Sequence, residues 1–177
     1  AELLIEKGWR VSWLGTQKGL ESRVIPENGI EIDWLCVAGV RGKGLTAKIT
    51  AVFMLFKACV QAMKILRKRK PDVVLGMGGF VAGPGGLMAK LLGIPLIIHE
   101  QNRVPGTTNR LLARISNQVL EAFPGSFNRQ AKAKCTGNPL RKRLLTALEN
   151  GRRQSEKEVR ILIVGGSQGA QILNETV

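Results

Sequence analysis

The chain has no tyrosine, one histidine and three cysteines, and its 13 acidic residues are outnumbered by 27 lysines and arginines. Each scarcity closes a class of function. Aromatics make up 5% of the chain, too few for the stacking platform of a single-strand nucleic-acid binder, so no nucleic-acid partner is expected. Cys36, Cys59 and Cys135 are odd in number, far apart and without a CxxC pair. That excludes a disulfide framework and a zinc pattern, and points to a reducing cytosol. No unbroken apolar run reaches the roughly 18 residues of a spanning helix, and no signal-peptide pattern is visible. The net charge of +14 calls for an anionic partner, a phospholipid surface or a phosphorylated substrate.

What is present is an alternation. Apolar strand candidates fall at 10–16, 31–37, 72–76, 95–99, 118–122 and 134–136, and helix candidates at 18–26, 45–70, 85–92, 107–115 and 141–150. Near-continuous apolar strands alternating with helices predict a parallel sheet covered on both faces, an α/β fold. The polar stretch "ALENGRRQSEKE" precedes a new buried strand, so one domain is expected over 1–146, a linker over 147–158 and the start of a second domain over 159–177. Both ends look like βα units cut in half, which reads as a piece of a longer chain.

"GMGGFVAGPGG" at 76–86 holds six glycines directly after the strand "DVVL". In an open α/β sheet, ligands bind outside the carboxyl ends of the strands. Glycine lets backbone approach an anion closely, and a following helix N-terminus adds free N–H groups. Gly76, Gly78, Gly79, Gly83, Gly85 and Gly86 are therefore candidates for holding a diphosphate. The spacing fails the dinucleotide pattern GxGxxG, with Val81 in the third place, and no GK[ST] follows. A second strand–glycine turn, "GGSQGA" at 165–170, offers Ser167 and Gln168. A third strand end, "HEQN", offers Glu100 and Asn102 for sugar and phosphate contacts, while His99 reads as a core histidine. Arg141, in "TGNPLRKR", is placed either to clamp a phosphate or to start a solvated helix.

From residue 34 to residue 71 there is no acidic residue and there are nine basic ones. Ile49, Val52, Phe53, Phe56, Val60 and Met63 recur at helical spacing, and 52–56 are apolar in succession. Such an arc is wider than one core contact needs. With Lys57 and Lys64 on its flanks it reads as an interfacial helix on anionic lipid.

Together "GWRVSWLGT", "GIEIDW", "VRGKG", "KPDVVLGMGGFVAGPGG", "GIPLIIHEQN", "TGNPLR" and "ILIVGGSQGA" resemble the MurG family of bacterial N-acetylglucosaminyltransferases. The resemblance implies a GT-B fold of two Rossmann-like domains. It implies inverting, metal-independent transfer of N-acetylglucosamine from UDP-N-acetylglucosamine to undecaprenyl-linked lipid I, giving lipid II of peptidoglycan, without a cofactor. The setting would be the cytoplasmic face of the bacterial membrane. It carries donor contacts onto Asn102, Arg141, Ser167 and Gln168, the acceptor diphosphate onto 76–86, and a place near the reacting sugars onto Glu100. That family opens with a strand and a "GGTGGH"-type loop that this sequence does not contain, so the chain by itself is expected to be inactive. Another GT-B nucleotide-sugar transferase, or a non-catalytic anion- or membrane-binding module, stays open as an alternative.

Overall fold

A computed structural model describes residues 1–36, 45–140 and 146. The linker at 147–158, the strand after it, all of the helix at 141–150 but residue 146, and Arg141, Ser167 and Gln168 lie outside the described residues. The chain divides into two compact units, Ala1–Asn138 and Pro139–Val177.

The first unit is a run of βα steps. α1 (Glu2–Glu6) leads through Gly8 to β1 (Ser12–Gly15), α2 (Glu21–Glu27) and β2 (Glu31–Trp34). Then come α3 (Leu45–Arg69), β3 (Val74–Gly76), α4 (Gly79–Leu91), β4 (Leu96–Glu100), α5 (Thr107–Leu112), β5 (Gln118–Glu121) and β6 (Lys134–Cys135). Every strand pairing among the described residues is parallel, as short strands alternating with helices require. The described strands form two sheets rather than the single one expected: β1–β2, and β3–β4–β5–β6 in chain order. α4 packs on strands of both sheets.

Two core clusters hold the layers together. Leu35, Ala62, Leu66, Met88 and Ala89 join α3 to α4 and β2. Leu96, Ile98, Leu112 and Val119 join α5 to β4 and β5. Parallel strands buried on both faces need apolar residues in succession, and "LII" of β4 supplies them.

The glycine stretch is mostly helix. α4 begins at Gly79, where the sequence predicts a loop up to Gly85. Gly78 and Gly79 sit at φ +87° and +78°, a region other residues enter only with strain, and they make the turn into the helix. Gly85 and Gly86 are buried about two turns further on. A Cβ on Gly86 would lie 2.9 Å from Leu112 Cδ1, and one on Gly85 would lie 3.0 Å from Leu14 Cδ2. Their job is close packing. Gly83, Gly85 and Gly86 thus stand in a helix and not in the loop that the sequence suggests. Pro84 lies inside the helix, in its second turn.

α3 corrects a second expectation. Ile49–Arg69 is long and apolar enough, by length and composition, to cross a membrane, with a mean hydropathy of 1.7. The criterion of an unbroken apolar run missed it because Lys57 and Lys64 interrupt the segment. Only 22% of the apolar window is buried, however, and the buried residues Ala58, Ala62 and Leu66 pack on the domain. Arg69 then fastens the helix end to β2, bonding Asp33 through Nε at 2.7 Å and Glu31 through Nη1. These bonds, Asp33 first, raise the guanidinium pKa further above its already high value.

Candidate functional site

The carboxyl ends of β3 and β4 open on a cleft of about 370 Å³. One wall is Met77, Gly78, Gly79 and Phe80, at the entry to α4. The other is the stretch after β4, from Glu100 to Asn102, and the start of α5, from Gly106 to Asn109. Phe80 is 76% exposed and gives the rim an apolar edge. Among the described residues no side chain caps α4 at Gly78, which leaves the first N–H groups of this 13-residue helix available to an anion.

The loops around the cleft are laced by single hydrogen bonds. Gln101 Nε2 donates to the Met77 carbonyl at 3.2 Å, joining the loop after β4 to the one after β3. Asn138 Nδ2 donates to the Gln101 carbonyl at 3.3 Å. Ser126 Oγ donates to the Asn102 carbonyl at 3.2 Å. His99 is buried and its Nε2 lies 3.0 Å from the Gly137 carbonyl, so the proton is on Nε2, since a carbonyl only accepts. The core role predicted for His99 agrees with this placement.

At the centre is Glu100, 2% exposed. Oε1 accepts from the Asn102 backbone N–H at 3.0 Å and from Asn102 Nδ2 at 3.1 Å. Oε2 accepts from the Gly106 N–H at 3.0 Å and from Asn109 Nδ2 at 2.9 Å. Burial by itself would raise the carboxyl pKa. The bonds from Asn109, Asn102 and Gly106 outweigh it and hold the group below the usual carboxylate range. A reacting carboxylate needs a lone pair free to face the substrate, and here all four lone-pair positions are filled.

The structure thus brings Gly78, Gly79, Glu100 and Asn102 together at one cleft. Gly76 ends β3 beside them, and Gly83 is in the second turn of α4, where a Cβ would meet Thr108 at 3.7 Å. Gly85 and Gly86 face Leu14 and Leu112 instead. Asn109 was missed from the sequence. It is 2% exposed and lines the cleft, and its Oδ1 has no partner among the described residues. An asparagine on the inner face of a short helix, three residues before the buried Leu112, was the available signal.

α3 carries the other predicted feature. Ile49, Val52, Phe53, Leu55 and Phe56 are all more than half exposed, Phe53 at 69% and Phe56 at 66%. Lys57 and Lys64 are exposed on the same helix.

Comparisons with known proteins agree on one kind of relative. Residues 1–121 match the family model of the glycosyltransferase family 28 N-terminal domain. A UDP-N-acetylglucosamine–N-acetylmuramyl-(pentapeptide) pyrophosphoryl-undecaprenol N-acetylglucosamine transferase of Methylococcus capsulatus is 62% identical over 170 residues, covering 96% of this chain and 48% of its own length. A transferase of the same name from Yersinia pseudotuberculosis is 50% identical over 179 residues, covering 100% of this chain and 49% of its own length. The crystal structure of Acinetobacter baumannii MurG superposes with a TM-score of 0.66 at 42% identity, covering 80% of this chain and 40% of that one. The chain spans about half the length of the curated relatives it matches.

Proposed function

The chain belongs to the glycosyltransferase family 28 N-terminal domain family, and on that premise we propose that the full-length protein transfers N-acetylglucosamine from UDP-N-acetylglucosamine to lipid I, giving lipid II. The observation that carries this is the level of identity to full-length transferases with that activity in their names. In the reaction an acceptor sugar hydroxyl attacks the anomeric carbon of N-acetylglucosamine. The bond to the diphosphate of UDP breaks, the configuration inverts, and the hydroxyl proton passes to a base.

The cleft at Gly78, Gly79 and Phe80 takes the acceptor diphosphate, with Gly76 and Gly83 flanking it. Free N–H groups and the positive end of α4 suit two phosphates, and Phe80 offers an apolar edge to an amphiphile. Asn102, Arg141, Ser167 and Gln168 contact the donor. α3 rests on anionic lipid at the cytoplasmic face of the membrane, where Lys57 and Lys64 meet the headgroups and Phe53, Phe56 and Ile49 enter the interface. Basic residues close to such a surface contribute about 1 kcal/mol each.

The test is turnover. The full-length protein is incubated with labelled UDP-N-acetylglucosamine and a short-chain lipid I analogue, and the expected product is the labelled disaccharide lipid. Transfer only from another nucleotide sugar would replace the donor in this proposal. Vesicle binding without transfer from any nucleotide sugar would replace the enzyme with a membrane-binding module.

A further inference from the structure

Taking that reading of the cleft one step deeper, we propose that Glu100 is a positioning residue, which holds Asn102 and Asn109 in the orientations they present to substrate and takes no proton in the reaction. Its two oxygens receive four N–H donors from three residues. These donors come from both sides of the loop between β4 and α5, so the carboxylate ties that loop shut from inside.

The bonds also fix which atoms remain for a ligand. The Asn102 backbone N–H and one hydrogen of its Nδ2 both go to Oε1, which leaves the side-chain carbonyl oxygen and the second Nδ2 hydrogen of Asn102 for a ligand. Asn109 spends its Nδ2 on Glu100 Oε2 at 2.9 Å and on the His99 carbonyl at 3.2 Å. A flipped Asn109 amide would set oxygen against two acceptors, so its orientation is fixed. Asn109 Oδ1 is then a buried acceptor without a partner in a residue that lines the cleft. Buried acceptors left unpaired are costly, and a substrate hydroxyl or amide N–H is the group that fits. The lowered carboxyl pKa fits the same role, because it makes Glu100 a weaker base.

Three variants of the full-length protein test this. Glu100→Gln sets an NH₂ against N–H donors on one side and should lower kcat/KM at least tenfold. The pH profile should keep both wild-type limbs, and in an Asn102→Ala background the same change should cost clearly less than in wild type, the remainder acting through Asn109. Gly106→Pro acts from the donor side. Gly106 has φ −62°, which proline already favours, but the ring Cδ takes the place of the N–H that lies 3.0 Å from Oε2, so the change removes one of the four donors and also pushes that oxygen aside. It should lower kcat/KM at least tenfold. Loss of the acidic limb in Glu100→Gln, an undiminished effect in the Asn102→Ala background, or a fully active Gly106→Pro would each overturn the proposal. A readout that needs no turnover is hydrogen exchange at the Asn102 and Gly106 amides. Both should be protected in wild type, and at least one should exchange faster in Glu100→Gln, whose single carbonyl oxygen can face only one of the two. Equal exchange in the two proteins would overturn the positioning role, whereas absent turnover in wild type with protection intact would remove only the transferase reading.

Discussion

α3 and α4 lie against each other and distribute their residues in opposite ways. α4 buries Pro84, Gly85, Gly86, Met88 and Ala89, and is held along its length by β1, β3 and α5. α3 buries Ala58, Ala62 and Leu66 and turns Val52, Phe53, Leu55 and Phe56 outward. Where the two helices meet, Ala62 and Leu66 of α3 share one buried cluster with Met88 and Ala89 of α4. The large apolar side chains in the first half of α3 are therefore not core residues. The contrast teaches that α4 is specified by what presses on it, and the first half of α3 by what it leaves uncovered.

The comparison breaks most sharply at Gly86. Gly86→Leu drives a side chain into the buried Leu112. Overpacking of this kind costs about 3 kcal/mol or more, well above the roughly 1 kcal/mol that losing a mid-helix glycine returns. A large drop in melting temperature, or loss of soluble protein, is the expected outcome. Ala62→Leu tests the matching face of α3. Ala62 is fully buried beside Leu35, Leu66, Met88 and Ala89, and about 1–3 kcal/mol should be lost in denaturant unfolding.

Phe53→Ser with Phe56→Ser sharpens the contrast from the other side. Exposed positions change folding stability by about 0.5 kcal/mol or less each. Binding to anionic vesicles should nevertheless fall roughly tenfold or more, since burying one such side chain is worth about 1.5–3 kcal/mol. Vesicle sedimentation beside a thermal melt reads both; a large melting shift with unchanged sedimentation would put these residues in the core. The smallest effect belongs to Arg69→Ala, which unties α3 from Asp33 and Glu31. The pair is partly exposed, so about 1 kcal/mol or less is expected, shrinking further as salt is added.

The contrast also marks what could be read in the sequence. α3 was legible almost to the residue, because its period is helical and Pro71 follows its end. Glu100 and Asn102 were legible as a site because the polar residues of "HEQN" directly follow an apolar strand. The glycines of α4 were not. A glycine needed for φ, like Gly78, and one needed for a neighbour, like Gly86, look alike in a string; only the position of Leu112 separates them. Asn109 was hidden for the same reason, since its partner Glu100 is nine residues away and joined to it by the fold. The division into two sheets was hidden too, because edge pairing depends on which strands meet in space.

α3 has a further consequence as a mechanical part. Its second half is clamped through Ala58, Ala62, Leu66 and the Arg69 tie. Residues 49–57 contain no buried side chain, and nine helical residues extend about 13 Å. Over the described residues the helix is thus a beam clamped along its second half, with a mostly exposed stretch ahead of the clamp. The length of that stretch is comparable with the roughly 5–10 Å depth at which interfacial helices sit. A beam of that reach can dip its phenylalanines into a lipid boundary while the sheet and cleft behind the clamp stay in water.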